Sequence, residues 1–149
     1  MKLALAGIGT IARDQHLPAI AGSGDWELAA TVSRHGQVEG VESHRDFDEF
    51  LAARPDVRVV SLCMPPVPRF DFAAAALRAG RHVMLEKPPG ATLAEGIELQ
   101  EMARAAGLTL FATWHTRVAP AVAPARDWLA GRQVRRARAS GCSWKTSMP

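Results

Sequence analysis

The chain is predicted to fold as an α/β domain built on a doubly wound parallel sheet. Three observations carry this reading. Five short apolar runs alternate along the chain with longer segments of helical period. The runs are apolar throughout, with no polar alternation, as in strands covered on both faces. The repeated β-α-β order implies crossover connections and therefore parallel neighbours.

The first strand is read at Lys2–Ala6 and the first helix over Thr10–Ala21. Pro18 lacks a backbone donor, so it is expected to kink or end that helix near Gln15 to Leu17. A second strand, Glu27–Val32, precedes a helix over Phe47–Ala53. A third strand, Val57–Leu62, leads to a helix over Arg69–Ala79 that carries Phe72, Ala76 and Ala79 and closes at Gly80. The fourth strand is His82–Leu85. Thr92 and Glu95 then have the spacing of a capping box, and Gly107 stands where a C-terminal glycine belongs. The helix between them, Leu93–Ala106, buries Leu99, Met102, Ala103 and Ala106. A fifth strand, Leu108–Ala112, completes the series. No internal repeat or low-complexity linker interrupts it.

With 149 residues, the chain is one domain's worth of sequence, enough to bury roughly 68–70% of the surface its unfolded form exposes. An apolar content of 48% with 22% charged residues is that of a globular protein. No apolar stretch approaches the roughly 20 residues of a membrane span. The opening residues, Met1 to Ala6, are too short a run before Gly7 for a signal peptide and read as a strand. Cys63 and Cys142 lack metal-ligand spacing, so no metal site is expected and a reduced, cytoplasmic setting is. Arg132, Arg135, Arg136 and Arg138 crowd the end of the chain, but no aromatic platform or recognition motif interleaves with them. No nucleic-acid partner is expected.

The first turn carries chemistry. Gly7-Ile8-Gly9-Thr10-Ile11-Ala12 is G-x-G-x-x-A, placed directly after a strand and opening a helix. Gly7 permits the tight turn, Gly9 lets the backbone approach a pyrophosphate, and Ala12 lets helix and strand pack closely. The free N–H groups of the helix start, Thr10 and Ile11 among them, and its positive dipole end suit phosphates. A methyltransferase with a similar glycine turn is the competing reading within this fold. About twenty residues on, where an NAD enzyme commonly presents a carboxylate to the ribose 2′-hydroxyl, the chain reads Val32-Ser33-Arg34-His35. The Ser33 hydroxyl and the permanently charged fork of Arg34 suit a 2′-phosphate, so NADP is slightly favoured over NAD. Alternatively, Arg34 simply projects into solvent.

In an open parallel sheet, ligands bind outside the carboxyl ends of the strands. Glu86-Lys87-Pro88 ends the fourth strand, Cys63-Met64-Pro65-Pro66 the third, and Thr113-Trp114-His115 the fifth. All converge on one crevice with the glycine turn. These residues resemble the N-terminal, Rossmann-type half of the Gfo/Idh/MocA oxidoreductases, marked by a glycine turn and a Glu-Lys-Pro motif. Within the family, "GIGTIARDQHLPAI", "HVMLEKPPGATLAE" and "LFATWHTR" are most similar to bacterial aldose 1-dehydrogenases acting on D-galactose or L-arabinose. The similarity runs from Met1 to about Val134.

The resemblance implies oxidation of an aldose at C1 to the aldonolactone. It makes Lys87 the catalytic residue, contacting cofactor and the sugar hydroxyl at the reacting carbon, where an ammonium assists loss of the hydroxyl proton. Glu86 is implied to place the nicotinamide ribose. The Lys87–Pro88 peptide is implied to be cis. Met64, Pro65 and Pro66 are implied to line the cofactor cleft, and Trp114 and His115 to border nicotinamide and sugar. For His115, packing at a strand end is an equal alternative. His16 also matches the family pattern, without an assigned role.

Family members continue into a second, substrate-binding domain and are often homo-oligomers. The division expected here is a nucleotide-binding domain over 1–120 and the start of a substrate domain over 121–149. Val134 to Ser140 reads as the first strand of the second domain's sheet. The tail beyond it lacks the pattern of a continuing sheet, as a premature stop or frame shift would produce. A stand-alone nucleotide-binding module without turnover, or a dehydrogenase of another polyol, are the alternative functions.

Overall fold

A computed structural model of the chain describes residues 1–133. The expected strand over Val134 to Ser140, and Arg135, Arg136, Arg138 and Cys142, lie outside the described residues. Six parallel strands form one sheet: β1 Lys2–Ala6, β2 Glu27–Val32, β3 Glu42–His44, β4 Val59–Leu62, β5 His82–Leu85 and β6 Leu110–Ala112. Their order across the sheet is β3-β2-β1-β4-β5-β6, a double winding that reverses direction beside β1. Around it stand α1 Leu17–Ala21, α2 Phe47–Ala53, α3 Pro66–Arg78 and α4 Leu93–Ala105. The sheet and these helices form a compact unit over Met1–Trp114, and a second unit begins at His115. Within the second unit, a 3-10 turn, His115–Val118, leads to α5, Val122–Leu129. No described helix is long and apolar enough to cross a membrane.

Strand alternation divides the core between the two faces. Ala4 and Ala6 of β1, Val60 and Leu62 of β4, and Val83 and Leu85 of β5 share one face. There they meet Phe50 of α2, Ala73, Ala76 and Leu77 of α3, and Leu99 and Ala103 of α4. Leu3 and Leu5 point the other way, to Ile8 and Ala12. Phe50, Leu5, Leu62, Leu85 and Leu99 are among the largest side chains removed from water, each worth roughly 1.5–3 kcal/mol in transfer terms.

The expected helix ends hold. Gly80 and Gly107 take positive φ, 74° and 65°. After each, the next amide returns to a carbonyl inside the helix, Arg81 to Ala76 and Leu108 to Ala103, as in a Schellman closure. Thr92 Oγ1 accepts from the Glu95 N–H at 3.2 Å, while the Glu95 carboxylate accepts from Ala91 at 2.7 Å, one residue before the cap.

Three boundaries and the winding of one helix differ from the sequence reading. The first helix is not broken by Pro18. Its middle widens into a π-helical turn, Ala12–His16, with the Leu17 N–H bonded to Ala12, and α1 follows directly. The widened turn accommodates a residue without an N–H, a usual setting for such bulges. Helix α3 starts earlier than Arg69 because Pro66 and Pro68 occupy its first turn, where amides lack intrahelical partners in any case. Strands β4 and β6 start later than expected. Val57 is held in a turn by its bond to Arg54, and the Leu108 amide closes α4. Strand β3, Glu-Ser-His, carries no apolar signal and was missed, as was α5.

Candidate functional site

The carboxyl ends of the strands meet in register. Each strand's hydrogen-bond ladder continues one residue into its loop: Gly7 donates to Val32 and Cys63 to Ala6 at 2.8 Å, Glu86 to Leu62 at 3.3 Å, Thr113 to Leu85 at 2.8 Å, and Ser33 to His44 at 3.0 Å. The five chemistry-bearing stretches singled out above therefore start side by side on one edge.

Gly7 holds φ at 90°, and a Cβ there would stand 2.9 Å from the Met64 nitrogen. The turn after β1 thus crosses the turn after β4 at backbone contact. A Cβ on Gly9 would meet nothing within 4 Å, so the residue leaves open space over the start of the helix, as close approach of a pyrophosphate requires. Thr10 and Ile11 are exposed there, and Ala12 is fully buried against β1. The residues present fit a dinucleotide at this turn.

A cavity of about 470 Å³ opens beside the turn, lined by Gly7, Val32, Ser33, Arg34, Met64, Phe72 and Ala75. The Ser33 hydroxyl accepts from the Gly36 amide at 3.1 Å, and Arg34 is exposed. The cavity adds residues that the sequence did not single out: Arg45, Asp46, Asp48 and Asp71. Arg45 doubles the guanidinium content next to Ser33 and became visible only with β3, whose end positions it. The absence of a carboxylate holds at the end of β2 alone, because α2 and α3 bring three to the same cavity. Of these, Asp46 caps α2, accepting from Glu49 at 2.8 Å.

At the end of β5, Glu86 is held and Lys87 is exposed. The Lys87–Pro88 peptide is cis. Arg69, on α3 and only 2% exposed, donates to the carbonyls of Met64, Glu86 and Pro88. One buried guanidinium thereby ties the turns after β4 and β5 together, a role the sequence reading of α3 missed. Arg81, also buried, does similar work away from this edge, donating to Pro55 at 2.9 Å and Leu51 at 3.1 Å. Burial disfavours the ionised Glu86 carboxylate, but the hydrogen bond from His16, with the nearby Thr113 side chain and the Lys87 amide, outweighs this and holds its pKa below the usual value. Burial pushes the Cys63 thiol up to about 11. Lys87 itself is exposed, Met64 and Pro66 are partly buried, and Pro65 is exposed. Trp114 is 59% exposed at the end of the first unit, and His115 opens the 3-10 turn of the second. Among the described residues no group of His, Cys, Asp and Glu could hold a metal ion.

Residues 1–113 match the sequence profile of the Gfo/Idh/MocA group, described as an oxidoreductase family with an NAD-binding Rossmann fold. The chain belongs to the Gfo/Idh/MocA oxidoreductase family. Galactose 1-dehydrogenase from Pseudomonas fluorescens is 39% identical over 136 residues, covering 90% of this chain and 43% of that protein. The crystal structure of D-galactose-1-dehydrogenase from Rhizobium etli superposes with a TM-score of 0.84 at 53% identity, over 87% of this chain and 42% of that one. A 3-ketoreductase from Actinomadura kijaniata, in complex with TDP-benzene and NADP, superposes with a TM-score of 0.78 at 27% identity, over 87% of this chain and 43% of that one. The chain thus spans less than half the length of these relatives, and the part it shares with the family is the NAD-binding Rossmann fold.

Proposed function

We propose that this chain is the nucleotide-binding part of an NAD(P)-dependent dehydrogenase that oxidises an aldose of the galactose or arabinose type at C1, releasing the aldonolactone. The observation that carries the reading is the pairing of an open glycine turn with an exposed lysine on a clamped Glu-Lys-Pro turn, in register on one sheet edge. Both the curated and the solved galactose dehydrogenases support the choice of sugar.

In this reading the amides of Gly9, Thr10 and Ile11 bind the pyrophosphate at the helix start. Ser33 and Arg34, with Arg45 beside them, bind the adenosine ribose and favour a 2′-phosphate there. Met64, Pro65 and Pro66 line the cleft, and Glu86 places the nicotinamide ribose. Trp114 borders nicotinamide and sugar. A bound nicotinamide supplies the acceptor for the hydride leaving C1. The Lys87 ammonium sits at the sugar hydroxyl and stabilises the charge that grows on its oxygen as the proton passes to a carboxylate or imidazole base of the substrate domain. Positioning the hydroxyl against Lys87 and the carbon against the ring supplies the proximity part of the rate.

The test is a titration of the purified chain with NADP and NAD, followed by an aldose oxidation screen on a protein of the relatives' full length that carries this sequence. Binding of NADP at least as tight as NAD, with turnover of galactose or arabinose, is expected. Failure to bind either nucleotide, or turnover confined to non-sugar alcohols, overturns the reading.

A further inference from the structure

His16 has no role in the account above, yet it is buried against the carboxylate of Glu86. It ends the π-helical turn of the same helix that the glycine turn opens. Its Nε2 lies 2.8 Å from Glu86 Oε1, with the two side chains only 9% and 12% exposed. Its Nδ1 faces Ser61 Oγ at 3.5 Å, and that hydroxyl lies 3.8 Å from the Cys63 sulfur. These contacts favour one tautomer: Nε2–H donates to the carboxylate and Nδ1 accepts from Ser61. The other carboxylate oxygen, Oε2, accepts from the Lys87 backbone N–H at 3.3 Å.

Glu86 is therefore gripped twice, at its carbonyl by Arg69 and at its carboxylate by His16. The carboxylate in turn holds the amide of Lys87, an exposed residue. The helix N-terminus and the lysine come from loops far apart in sequence, and the His16–Glu86 contact is the side-chain bridge between the two elements.

We propose that His16 is a positioning residue which, through Glu86, sets the Lys87 turn at a fixed place relative to the glycine-turn helix. This rests on the cofactor reading for its consequence, because the bridge would align the two ends of one dinucleotide. It has no need of the sugar assignment. A ligand that touches only the glycine-turn and Ser33 side is indifferent to the bridge. A ligand that reaches the Lys87 side is not.

The experiment compares 2′,5′-ADP with NADPH on the chain carrying His16→Leu, His16→Asn or His16→Gln, and follows the Lys87 amide by two-dimensional NMR. Leu and Asn are expected to weaken NADPH about tenfold, which is about 1.4 kcal/mol, while 2′,5′-ADP stays within about twofold. Gln reaches far enough to donate to Glu86 and should restore NADPH to within about threefold, with the Lys87 amide shift close to that of the unaltered chain. Equal weakening of both ligands marks a merely structural histidine and overturns the proposal, as does an unchanged ratio. If the unaltered chain binds neither ligand, the cofactor reading fails, and the Lys87 amide alone decides the bridge. An amide resonance unmoved by Leu and Asn overturns it, and one moved by both and restored by Gln supports it.

Discussion

Gly7 and Met64 touch backbone to backbone: the position a Cβ would take on Gly7 lies 2.9 Å from the Met64 nitrogen, at a φ of 90°. Both facts oppose any side chain. Gly7→Ala is expected to destabilise the fold by about 1–3 kcal/mol, the range for a non-glycine residue forced into such a conformation. Urea unfolding of the two chains checks this. A shift of the midpoint below about 0.5 kcal/mol equivalent would show that the β1 and β4 turns part easily.

Among the described residues Arg69 has no carboxylate partner at salt-bridge distance, and its charge is spread over three carbonyls. Truncation leaves those acceptors buried and unpaired. Arg69→Leu should cost about 3 kcal/mol or more and should loosen the Glu86–Lys87 turn, seen as faster amide exchange at Glu86 and Lys87. Arg69→Lys should recover little, because one ammonium cannot reach three carbonyls in the fork's geometry.

Cys63 makes the fold sensitive to alkali. Its thiol ordinarily titrates near 9.0, and burial raises this to about 11 in the folded chain, with the Glu86 charge adding to the shift and Ser61 opposing it. The folded state thus holds a proton that the unfolded state releases. The associated stability is complete below pH 9 and falls as pH rises from 9 towards 11. Cys63→Val should flatten the loss between pH 9 and 10.5 in denaturant titrations. An unchanged slope would assign that loss to other groups.

Arg34 and Arg45 line the same cavity. If they hold a 2′-phosphate, Arg34→Ala should weaken NADP by roughly 1.5–3 kcal/mol while sparing NAD, and Arg45→Ala should do so by a similar or smaller amount. Isothermal titration with both nucleotides separates the cases. Equal weakening of NAD would instead place the guanidiniums over the adenine or ribose.

Lys87 is the exposed residue of a clamped turn. In a protein of the relatives' full length, Lys87→Ala is expected to lower turnover by roughly 10²–10⁴-fold, the contribution of a positioned proton-transfer group, with much smaller change in nucleotide affinity. Near-normal turnover would reduce the lysine to a surface residue.

Much of the fold was legible because its signals are local. Continuous apolar runs marked β1, β2 and β5, and Gly80, Gly107 and Thr92 marked helix ends through backbone chemistry that single residues dictate. Strand β3 was not legible, since Glu42 and Ser43 are exposed and its stability comes from pairing with β2 and from the contact of Thr31 Oγ1 with Ser43 at 3.3 Å. With it went Arg45. The motif residues were visible through spacing, and His16 through the family pattern without a role, whereas Arg69 and the three carboxylates near Arg34 were not visible. Their roles depend on contacts between distant segments, such as 70 residues from His16 to Glu86, and no window along the chain contains both partners.

The π-helical turn at Ala12–His16 has a consequence for registry. A helix that takes in one residue more than its regular period offsets everything downstream by roughly 100° of rotation. Seen this way, the side chain that greets Glu86 is chosen by a count of residues as well as by identity. Removing a single residue, Gln15, would restore the ordinary winding yet leave the imidazole near its present bearing, whereas adding one residue would turn it off the carboxylate without altering one amino acid at the contact. Insertions in this short helix are thus expected to be felt at the Glu-Lys-Pro turn on the far side of β1, and loss of the one extra residue is not.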